Sequence, residues 1–412
     1  MSNGFQNPNV FTNECLRSLQ NNIVFAAHVV REYDDKFGDK GGKIGDTLNI
    51  RRPARFTVST GAAFSPQDYT ETSIPLVINN QKHVDTNFTS SDLTLKVEDF
   101  IDRVINPKLI QLAQQIDQDG CLNAKNTVGN LTGTIGTAPN NVSFLFDNGR
   151  KLDDFSVPRD ERYMVIDQGT NAALVGALTG FFNPQAQIAS QFKQGVFVDM
   201  QNTVGFKIGM SQNVIRHTTG PLGGAPVING ANQSLTSGWS NTANILINGW
   251  TAAAAPRLNQ GDVITLPGCF TVNPVTRQST GVLLQFVVLA NVSSDAAGAS
   301  TVPVSPAPIS AGPFQNCTAA PTNGGGIVVI GTTGQVGVRN IGWYKDAFTL
   351  GCVDLLNLAE YGGWGARKTK DGFSLRVFRQ AAIATDTVGT RVDVLYGWAT
   401  PYPEQAAQMV GN

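Results

Sequence analysis

The sequence predicts an α+β protein, and three observations support this fold class. Two segments in the first third of the chain carry apolar residues at helical spacing, which predicts amphipathic helices. Several other segments alternate apolar and polar residues, which predicts half-buried strands. Residues 221 to 330 hold short apolar runs between Gly, Pro, Asn and Ser clusters, a texture typical of strands joined by turns.

Charge is scarce and unevenly spread along the chain. Only 61 of the 412 residues are charged, or 15%, whereas soluble proteins usually have about 25%. Residues 221 to 330 contain only four charged residues, which are Arg257, Asp262, Arg277 and Asp295. This local deficit predicts that the stretch forms a separate structural unit. Its surface must be hydrated by Thr, Ser and Asn or covered by neighbouring subunits.

The overall composition excludes several classes of protein. Hydrophobic residues make up 41% of the chain, which is enough for a large core and excludes general disorder. At about 150 residues per domain, the length suggests two or three domains. A net charge of −1 provides no long-range attraction for nucleic acid or an anionic membrane, which argues against a sequence-reading DNA-binding protein.

The termini and cysteines favour a protein made in the cytosol without a membrane span. The start, MSNGFQNPNV, has no basic and apolar leader pattern, and no run approaches the roughly 18 apolar residues of a membrane helix. The five cysteines are odd in number and far apart, which fits neither a disulfide framework nor a zinc site. We therefore expect reduced, mostly buried thiols at Cys15, Cys121, Cys269, Cys317 and Cys352.

A first helix is predicted over residues 13 to 33, with Thr12 as its N-cap. Its apolar stripe consists of Leu16, Leu19, Ile23, Ala26 and Val30. Such a narrow stripe needs a partner surface. The stripe packs either on the chain's own body or, as an arm, on a neighbouring subunit, so Leu16, Leu19 and Ile23 are candidate inter-subunit contacts.

Residues 46 to 89 predict a long two-stranded ribbon with a turn near residues 65 to 67. Arg51, Arg52 and Arg55 cluster on one limb, while Asp68 and Glu71 lie near the tip. Because an isolated two-stranded ribbon is marginally stable in water, this ribbon should rest on something outside itself. The arginines are either a solvated strand face or partners for carboxylates of another subunit.

The longest helical pattern begins at Ser91 or Asp92 and continues to about Asn123, with apolar residues every three or four positions. Pro107 interrupts this pattern, so the helix either kinks there or a second helix begins with Pro107 in its first turn. A helix of about 30 residues would be about 45 Å long and could act as a strut. Its Glu98 and Asp102 are candidate partners for the arginines.

The rest of the chain alternates between mixed and β-rich texture. Residues 143 to 216 look α/β, with a helix at 145–155, a strand at 162–166 and a helix at 171–178. The charge-poor stretch predicts strands at 262–266 and 281–290, within a barrel or sandwich of six strands or fewer. Residues 374–379 and 390–396 predict a hairpin with a long connection, and 404–410 a short closing helix.

The best enzyme motif is a strand that leads into Gly331, Gly334 and Gly337, the spacing of some dinucleotide-binding turns. No helix start follows, and no acidic residue ends a second strand about 20 positions later. A turn-rich connection is therefore the favoured interpretation, and an NAD-dependent enzyme remains a remote alternative.

Other catalytic patterns are incomplete. The run from Gly38 to Lys43 is one residue short of a phosphate loop, and Gly372 to Ser374 lacks the second glycine of a nucleophile elbow. The three histidines show no metal-ligand spacing. The sequence therefore predicts no catalytic, cofactor-binding or metal site, and no cofactor.

The order of these elements, together with five stretches, resembles the major capsid proteins of tailed bacteriophages, in the P22-like branch of the HK97-like fold. The stretches are NNIVFAAHVVREYD (21–34), GDTLNIRRPARFTV (45–58), LDDFSVPRDERYMVI (152–166), YKDAFTL (344–350) and TRVDVLYGWATPYPEQAAQMV (390–410). The resemblance covers nearly the whole chain.

This resemblance implies a domain layout. Its parts are an N-terminal arm (1–45), an extended E-loop (46–90), the spine helix of the peripheral domain (91–127), the first part of the axial domain (128–216), a β-rich insertion domain (217–330), the second part of the axial domain (331–373), and the peripheral-domain hairpin with the C-terminus (374–412).

The resemblance also implies a function. The chain would self-assemble into hexamers and pentamers of an icosahedral head that encloses double-stranded DNA without sequence specificity. Expected partners are other copies of the chain, a portal protein, a scaffolding protein and, in some heads, a decoration protein. The location would be the virion, after assembly in the bacterial cytoplasm. An alternative is another virion component, a tail or adhesin protein.

Overall fold

The computed structural model describes residues 8–31, 47–67, 69, 71–89, 106–177, 205–356, 364–382 and 384–411. These residues contain four α-helices: α1 (Pro8–Asn21), α2 (Asn106–Thr127), α3 (Ser143–Asp154) and α4 (Gln168–Ala177). They also contain short 3-10 turns at Ala26–His28, Lys345–Ala347 and Pro403–Gln405.

The same residues form 21 strands. The first ten are β1 (Thr47–Arg52), β2 (Thr72–Val77), β3 (Asn80–Thr89), β4 (Leu131–Thr132), β5 (Arg162–Ile166), β6 (Lys207–Met210), β7 (Arg216–Thr218), β8 (Val227–Ile228), β9 (Ala243–Asn248) and β10 (Ala255–Leu258). The others are β11 (Val263–Val272), β12 (Ser279–Val288), β13 (Val292–Ser294), β14 (Ser300–Ser305), β15 (Val328–Val329), β16 (Val336–Tyr344), β17 (Thr349–Val353), β18 (Trp364–Lys370), β19 (Phe373–Ala382), β20 (Thr387–Ala399) and β21 (Ala406–Val410).

The chain folds into two compact units, each built from separate stretches of sequence. The first unit consists of Met1–Ile50, Pro75–Gly120 and Phe348–Ala399. The second unit consists of Arg51–Ile74, Cys121–Ala347 and Thr400–Asn412.

The first unit is built on a five-stranded antiparallel sheet in the order β17-β20-β19-β18, with β3 also paired to β20. Helix α1 packs against β18 and β19, and its Leu16 and Leu19 are buried, as is Ile23 just after the helix. The chain's own body is therefore the partner of the apolar stripe in this structure.

Helix α1 differs from the predicted helix at both ends. It begins at Pro8, because proline suits the first turn of a helix, and Thr12 lies inside it instead of capping it. It ends at Asn21, and the backbone N–H groups of Val24, Phe25 and Ala26 donate to the Asp117 carboxylate at 2.6–3.2 Å. This distant acceptor replaces the helical carbonyls, which local spacing cannot reveal.

The predicted ribbon is also shorter than expected. Strands β1 and β2 pair as a two-stranded sheet, but β3 pairs with β20 from Asn80↔Tyr396 to Thr89↔Thr387. The alternation at Val84, Thr86 and Phe88 was therefore interpreted wrongly as a ribbon limb, because alternation predicts a strand but does not identify its partner. The N-terminal half of the predicted spine helix lies outside the described residues, and α2 begins one residue before Pro107.

The second unit contains a mixed sheet and a barrel. The mixed sheet, which we call the β16 sheet, has the order β4-β21-β16-β5-β6, with β7 also paired to β16. The predicted strand at 162–166 is confirmed, as is the helix at 145–155, which the structure extends as α3. Helix α3 packs on β21 and β4.

The predicted closing helix at 404–410 is wrong, since these residues form a 3-10 turn followed by β21. All five residues of β21 are buried, and β21 pairs with β16 from Arg339↔Val410 to Trp343↔Ala406. The seven-residue run was too short for its weak helical pattern to outweigh sheet pairing. The hairpin of β19 and β20 is confirmed, but its connection is short, because both strands extend beyond the predicted limits.

The barrel occupies residues 227 to 329 and has the strand order β15-β11-β12-β14-β9-β8. The antiparallel bridge Val227↔Gly326 joins its two ends and closes the sheet. Its interior includes Ile245, Ile264, Leu284, Phe286 and Val302, all at most 1% exposed. The predicted strands at 262–266 and 281–290 correspond to β11 and β12. The sequence left a barrel or a sandwich of six strands or fewer open, and the structure shows the barrel, with six strands. We call residues 227–329 the barrel domain.

Candidate functional site

The predicted arginine cluster lies at the base of the loop that joins β1 to β2, and the chain itself supplies partners for all three arginines. Arg52 is 5% exposed and donates to Glu404 Oε1 at 2.5 Å. Arg55 donates to the same oxygen at 3.1 Å. One carboxylate therefore ties two arginines of the loop to the C-terminal segment.

Two aromatic rings hold the Arg52 guanidinium from its faces. Its central carbon lies 4.4 Å from the Tyr402 ring centroid and 4.9 Å from that of Trp239. A planar guanidinium can stack on rings and donate in its plane at the same time, which a lysine ammonium cannot do. The base of the loop is thus anchored by Arg52 to the barrel domain and to the C-terminal segment.

A small cleft opens beside this anchor. Its lining includes Arg52 and Glu404 together with the apolar side chains of Phe155, Trp239, Ile309 and Phe314. The described residues contain no group of three or more metal-ligating side chains, here or elsewhere.

The other predicted contact residues divide into three sets. Arg51 and Glu71 form an exposed ion pair at 3.4 Å within the loop. Leu16, Leu19 and Ile23 are covered by the first unit, as described above. Asp68, Glu98 and Asp102 lie outside the described residues. An inter-subunit role for any of these residues stays a prediction.

The loop also carries apolar side chains that sequence reasoning missed as contacts. Phe56, Val58, Phe64 and Tyr69 are 57%, 98%, 92% and 65% exposed, and we call these four residues the loop tip. Phe56 and Tyr69 contact each other with ring centroids 6.5 Å apart, and Gln67 is hydrogen-bonded to Thr57 across the loop. The signal was present in the sequence as four large apolar residues in an otherwise polar segment without strand periodicity.

The hydroxyl group of Tyr69 donates to Glu71 Oε1 at 2.6 Å, and this hydrogen bond raises the pKa of Tyr69. The same carboxylate pairs with Arg51. Short polar contacts therefore give the loop a shape of its own while the tip stays uncovered. Exposed apolar groups on a preformed loop favour contact with another surface.

A buried polar cluster connects the barrel domain to the β16 sheet. The Asp262 carboxylate is 0% exposed, lies 2.8 Å from His217 Nε2 and accepts the N–H groups of Gly220 and Asn259. Burial lowers the pKa of His217 and lowers that of Arg339 to about 10. The role of His217 is therefore structural, as a neutral hydrogen-bonding partner at a junction.

The structure also accounts for the enzyme-like glycine motif. Gly331 and Gly334 have φ of +113° and +66°, which is typical of turns, and β16 follows them where a dinucleotide fold needs a helix. Gly337 lies inside β16 against Ile135, so its backbone is not available to a phosphate. Among the described helices, no segment is long and apolar enough to cross a membrane.

Several solved phage structures are similar to this chain. One is from Mycobacterium phage Che8 and is 11% identical in sequence. The match covers 94% of this chain and 90% of the phage chain, with a TM-score of 0.44. The capsid structure of Cyanophage P-SCSP1u is also 11% identical, with coverages of 93% and 85% and a TM-score of 0.42. The CUS-3 coat protein I-domain is 20% identical in sequence. The match covers 26% of this chain and 96% of the I-domain chain, with a TM-score of 0.20.

The family assignment comes from a family model. No curated protein matches the chain. The model described as "P22 coat protein - gene protein 5" matches residues 2–411. This match confirms the predicted α+β fold of the HK97-like type and the predicted structural role. The chain therefore belongs to the P22 coat protein family and is a major capsid protein of a tailed bacteriophage, which self-assembles into the head shell.

Proposed function

We propose that copies of this chain assemble as hexamers and pentamers, and that the loop tip of each copy packs on a neighbouring copy. The observation that carries this proposal is the exposure of Phe64 and Val58, at 92% and 98%, on a loop whose base is anchored by Arg52. An anchored base with an uncovered apolar end is suited to intermolecular contact. Many such modest contacts, repeated by symmetry, stabilise a closed shell.

The test compares the wild-type chain with the double variant Val58→Ser, Phe64→Ser by negative-stain electron microscopy and size-exclusion chromatography. We expect closed shells from the wild type, and capsomers or free chains from the double variant. Val275→Ser is a matched control, because Val275 is 74% exposed on the barrel domain, and it should still form shells. Wild-type protein that stays monomeric under all assembly conditions would contradict the proposal.

We infer further partners from the same role. The shell would incorporate a portal protein, assemble with a scaffolding protein in the host cytoplasm, and enclose double-stranded DNA without reading its sequence. A decoration protein would bind the outside in heads that use one. The near-neutral chain, with a net charge of −1, suits a wall that must not hold packaged DNA tightly. Quantitative binding of duplex DNA at physiological salt by the purified chain would contradict this last inference.

We also infer that the chain has no enzymatic role, because its family is a structural one. The dinucleotide alternative predicts that NAD raises the melting temperature of the chain and that a Gly334 variant abolishes the rise. We expect no rise in either protein.

A further inference from the structure

The guanidinium group of Arg339 is buried without a hydrogen-bonding partner. Arg339 lies on β16 and is 1% exposed. Among the described residues, none of its three guanidinium nitrogens has an acceptor. Burial lowers the pKa of Arg339 only to about 10, so the group is charged at neutral pH. A buried charge destabilises the fold unless it is paired and hydrogen-bonded.

The strand register shows which side chains share a face of the β16 sheet with Arg339. Val410 lies directly opposite Arg339, on β21. His217 lies opposite Gly337, two residues earlier on β16. Since side chains alternate along a strand and opposite residues share a face, Val410 and His217 point to the same side as Arg339. Val410 packs with Val263 of β11, so this face of the sheet meets the barrel domain.

The C-terminal end of α2 brings a second basic group to the same face. Gln408 lies on the same face of β21 as Val410, and its Nε2 donates to Lys125 O of α2 at 3.2 Å. The Lys125 ammonium donates to Gln260 O of the barrel domain at 3.3 Å. Burial lowers the pKa of Lys125, and the charge of Arg339 lowers it further. The two basic groups are therefore close enough to interact.

The one carboxylate that acts on Arg339 already has other partners. Asp262 accepts the N–H groups of Gly220 and Asn259, and its Oδ1 lies 2.8 Å from His217 Nε2. In the described part of the chain, no hydrogen bond joins Asp262 to Arg339. A buried water can accept N–H groups at such a place, but it brings no charge. An anion would provide both an acceptor and a negative charge in direct contact.

We propose that the Arg339 guanidinium binds a small inorganic anion, of the size of chloride, at the junction between the barrel domain and the β16 sheet. The anion accepts N–H groups of the guanidinium in charge-assisted hydrogen bonds. Lys125 is a second basic group beside it. The near-complete burial of Arg339 favours an ion of one atom over a larger oxyanion. The bound anion would hold together residues of α2, β16 and the barrel domain.

The experiment measures the melting temperature of the purified full-length chain as sodium chloride replaces sodium gluconate at constant ionic strength. Constant ionic strength keeps the screening of other charges unchanged, and gluconate is too large for a closed site. An anion that binds only the folded chain raises the melting temperature with the logarithm of its concentration, once this exceeds the dissociation constant. We expect such a rise for the wild type. The readout does not require shells, so a failure of assembly would not affect its result.

The variant Arg339→Met removes the proposed anion ligand and should remove the chloride-dependent rise. Because a hydrophobic residue often replaces a poorly paired buried charge without loss of stability, this variant should fold, and in gluconate it should melt at or above the wild-type temperature. Arg162→Met is the matched control. Arg162 is also 1% exposed, but it donates to Asp153 Oδ1 and Val157 O. The control should be less stable and yet keep the chloride-dependent rise.

The variant Lys125→Gln tests the second basic group at a partly exposed position. We expect the chloride concentration needed for the rise to increase about tenfold, the effect of losing one charged contact. A rise that is absent from the wild type or unchanged in Arg339→Met would overturn the proposal and assign the guanidinium to water alone. So would an unchanged chloride dependence in Lys125→Gln.

Discussion

The barrel domain and the sheet of the first unit satisfy their charged side chains in different ways. In the barrel domain, Arg257 is 6% exposed and donates to the Ser294 hydroxyl and to the carbonyl oxygens of Leu222, Thr251 and Ala253. Arg277 likewise donates to the carbonyl oxygens of Gly312 and Pro313. These two arginines therefore mainly hold the backbone of neighbouring loops in place.

The first unit pairs charge with charge. Asp393, at 0% exposed, accepts hydrogen bonds from the guanidinium groups of Arg376 and Arg391 across β19 and β20. Lys82 and the Tyr396 hydroxyl both reach Asp119. A domain can therefore be poor in charge and still give its few charges partners, because carbonyl groups of loops can replace carboxylates.

The largest expected effect is in the first unit. Asp393→Ala leaves the buried Arg376 guanidinium without its carboxylate, so we expect a loss of about 3–5 kcal/mol of stability. Hydrogen exchange should show faster exchange of the amides of β19 and β20. Arg391→Gln, which changes the more exposed arginine, should cost much less. Unchanged protection in Asp393→Ala would show that this pair does not hold the sheet.

A smaller effect is expected from the corresponding change in the barrel domain. Arg257→Met removes several hydrogen bonds to backbone carbonyls, and bonds to charged groups contribute about 1.5–3 kcal/mol each at most. We expect proteolysis of the segment near residues 251–255, with the rest of the barrel domain intact. The partly exposed Arg277, changed to Met, is the matched control with a weaker effect. Global unfolding of the variant would contradict a role confined to ordering loops.

The junction between the barrel domain and the β16 sheet should respond to pH. Because burial lowers the pKa of His217 in the folded chain, the unfolded chain takes up the proton first as pH falls below about 6.5. Stability is therefore fully present above this pH and is lost progressively toward the lower, folded pKa. The charged groups that act on His217 are Arg339, Lys125 and Asp262.

The variant His217→Gln tests this expectation, since glutamine can still donate to Asp262 but does not titrate. We expect its melting temperature to vary less between pH 7.5 and pH 5 than that of the wild type. The difference in pH dependence between the two proteins should correspond to one titrating group. Equal pH dependence in both proteins would assign the acid sensitivity to other residues.

The smallest effect is expected at the exposed pair of Arg51 and Glu71. Exposed ion pairs contribute about 0–1 kcal/mol, so Glu71→Gln should leave the melting temperature within a degree or two. A large decrease would mean that the loop is held by its charges and not by the anchor at Arg52.

Local patterns predicted those elements whose partners are close or whose burial is complete. The strand β5 and the helix α3 were found because their apolar spacing is clear over a full element. The barrel strands β11 and β12 were found because turn residues bound them. In each case the signal lies within the segment itself.

The remaining features depend on residues that are far apart in the sequence, which local patterns do not identify. The strand β21 forms because β16 offers a free edge, and the chain after α1 is fixed by Asp117, a residue far away in the sequence. The contacts of Arg52 with the rings of Trp239 and Tyr402 bring together three segments that are distant in the sequence.

The proposed contact of the loop tip with a neighbouring copy is tested directly by a cryo-electron microscopy reconstruction of particles assembled from the wild-type chain. We predict a closed shell of hexamers and pentamers, in which the side chains of Phe64 and Val58 are buried against a neighbouring copy. Tubes or isolated trimers, or a closed shell whose loop tips face solvent, would contradict it.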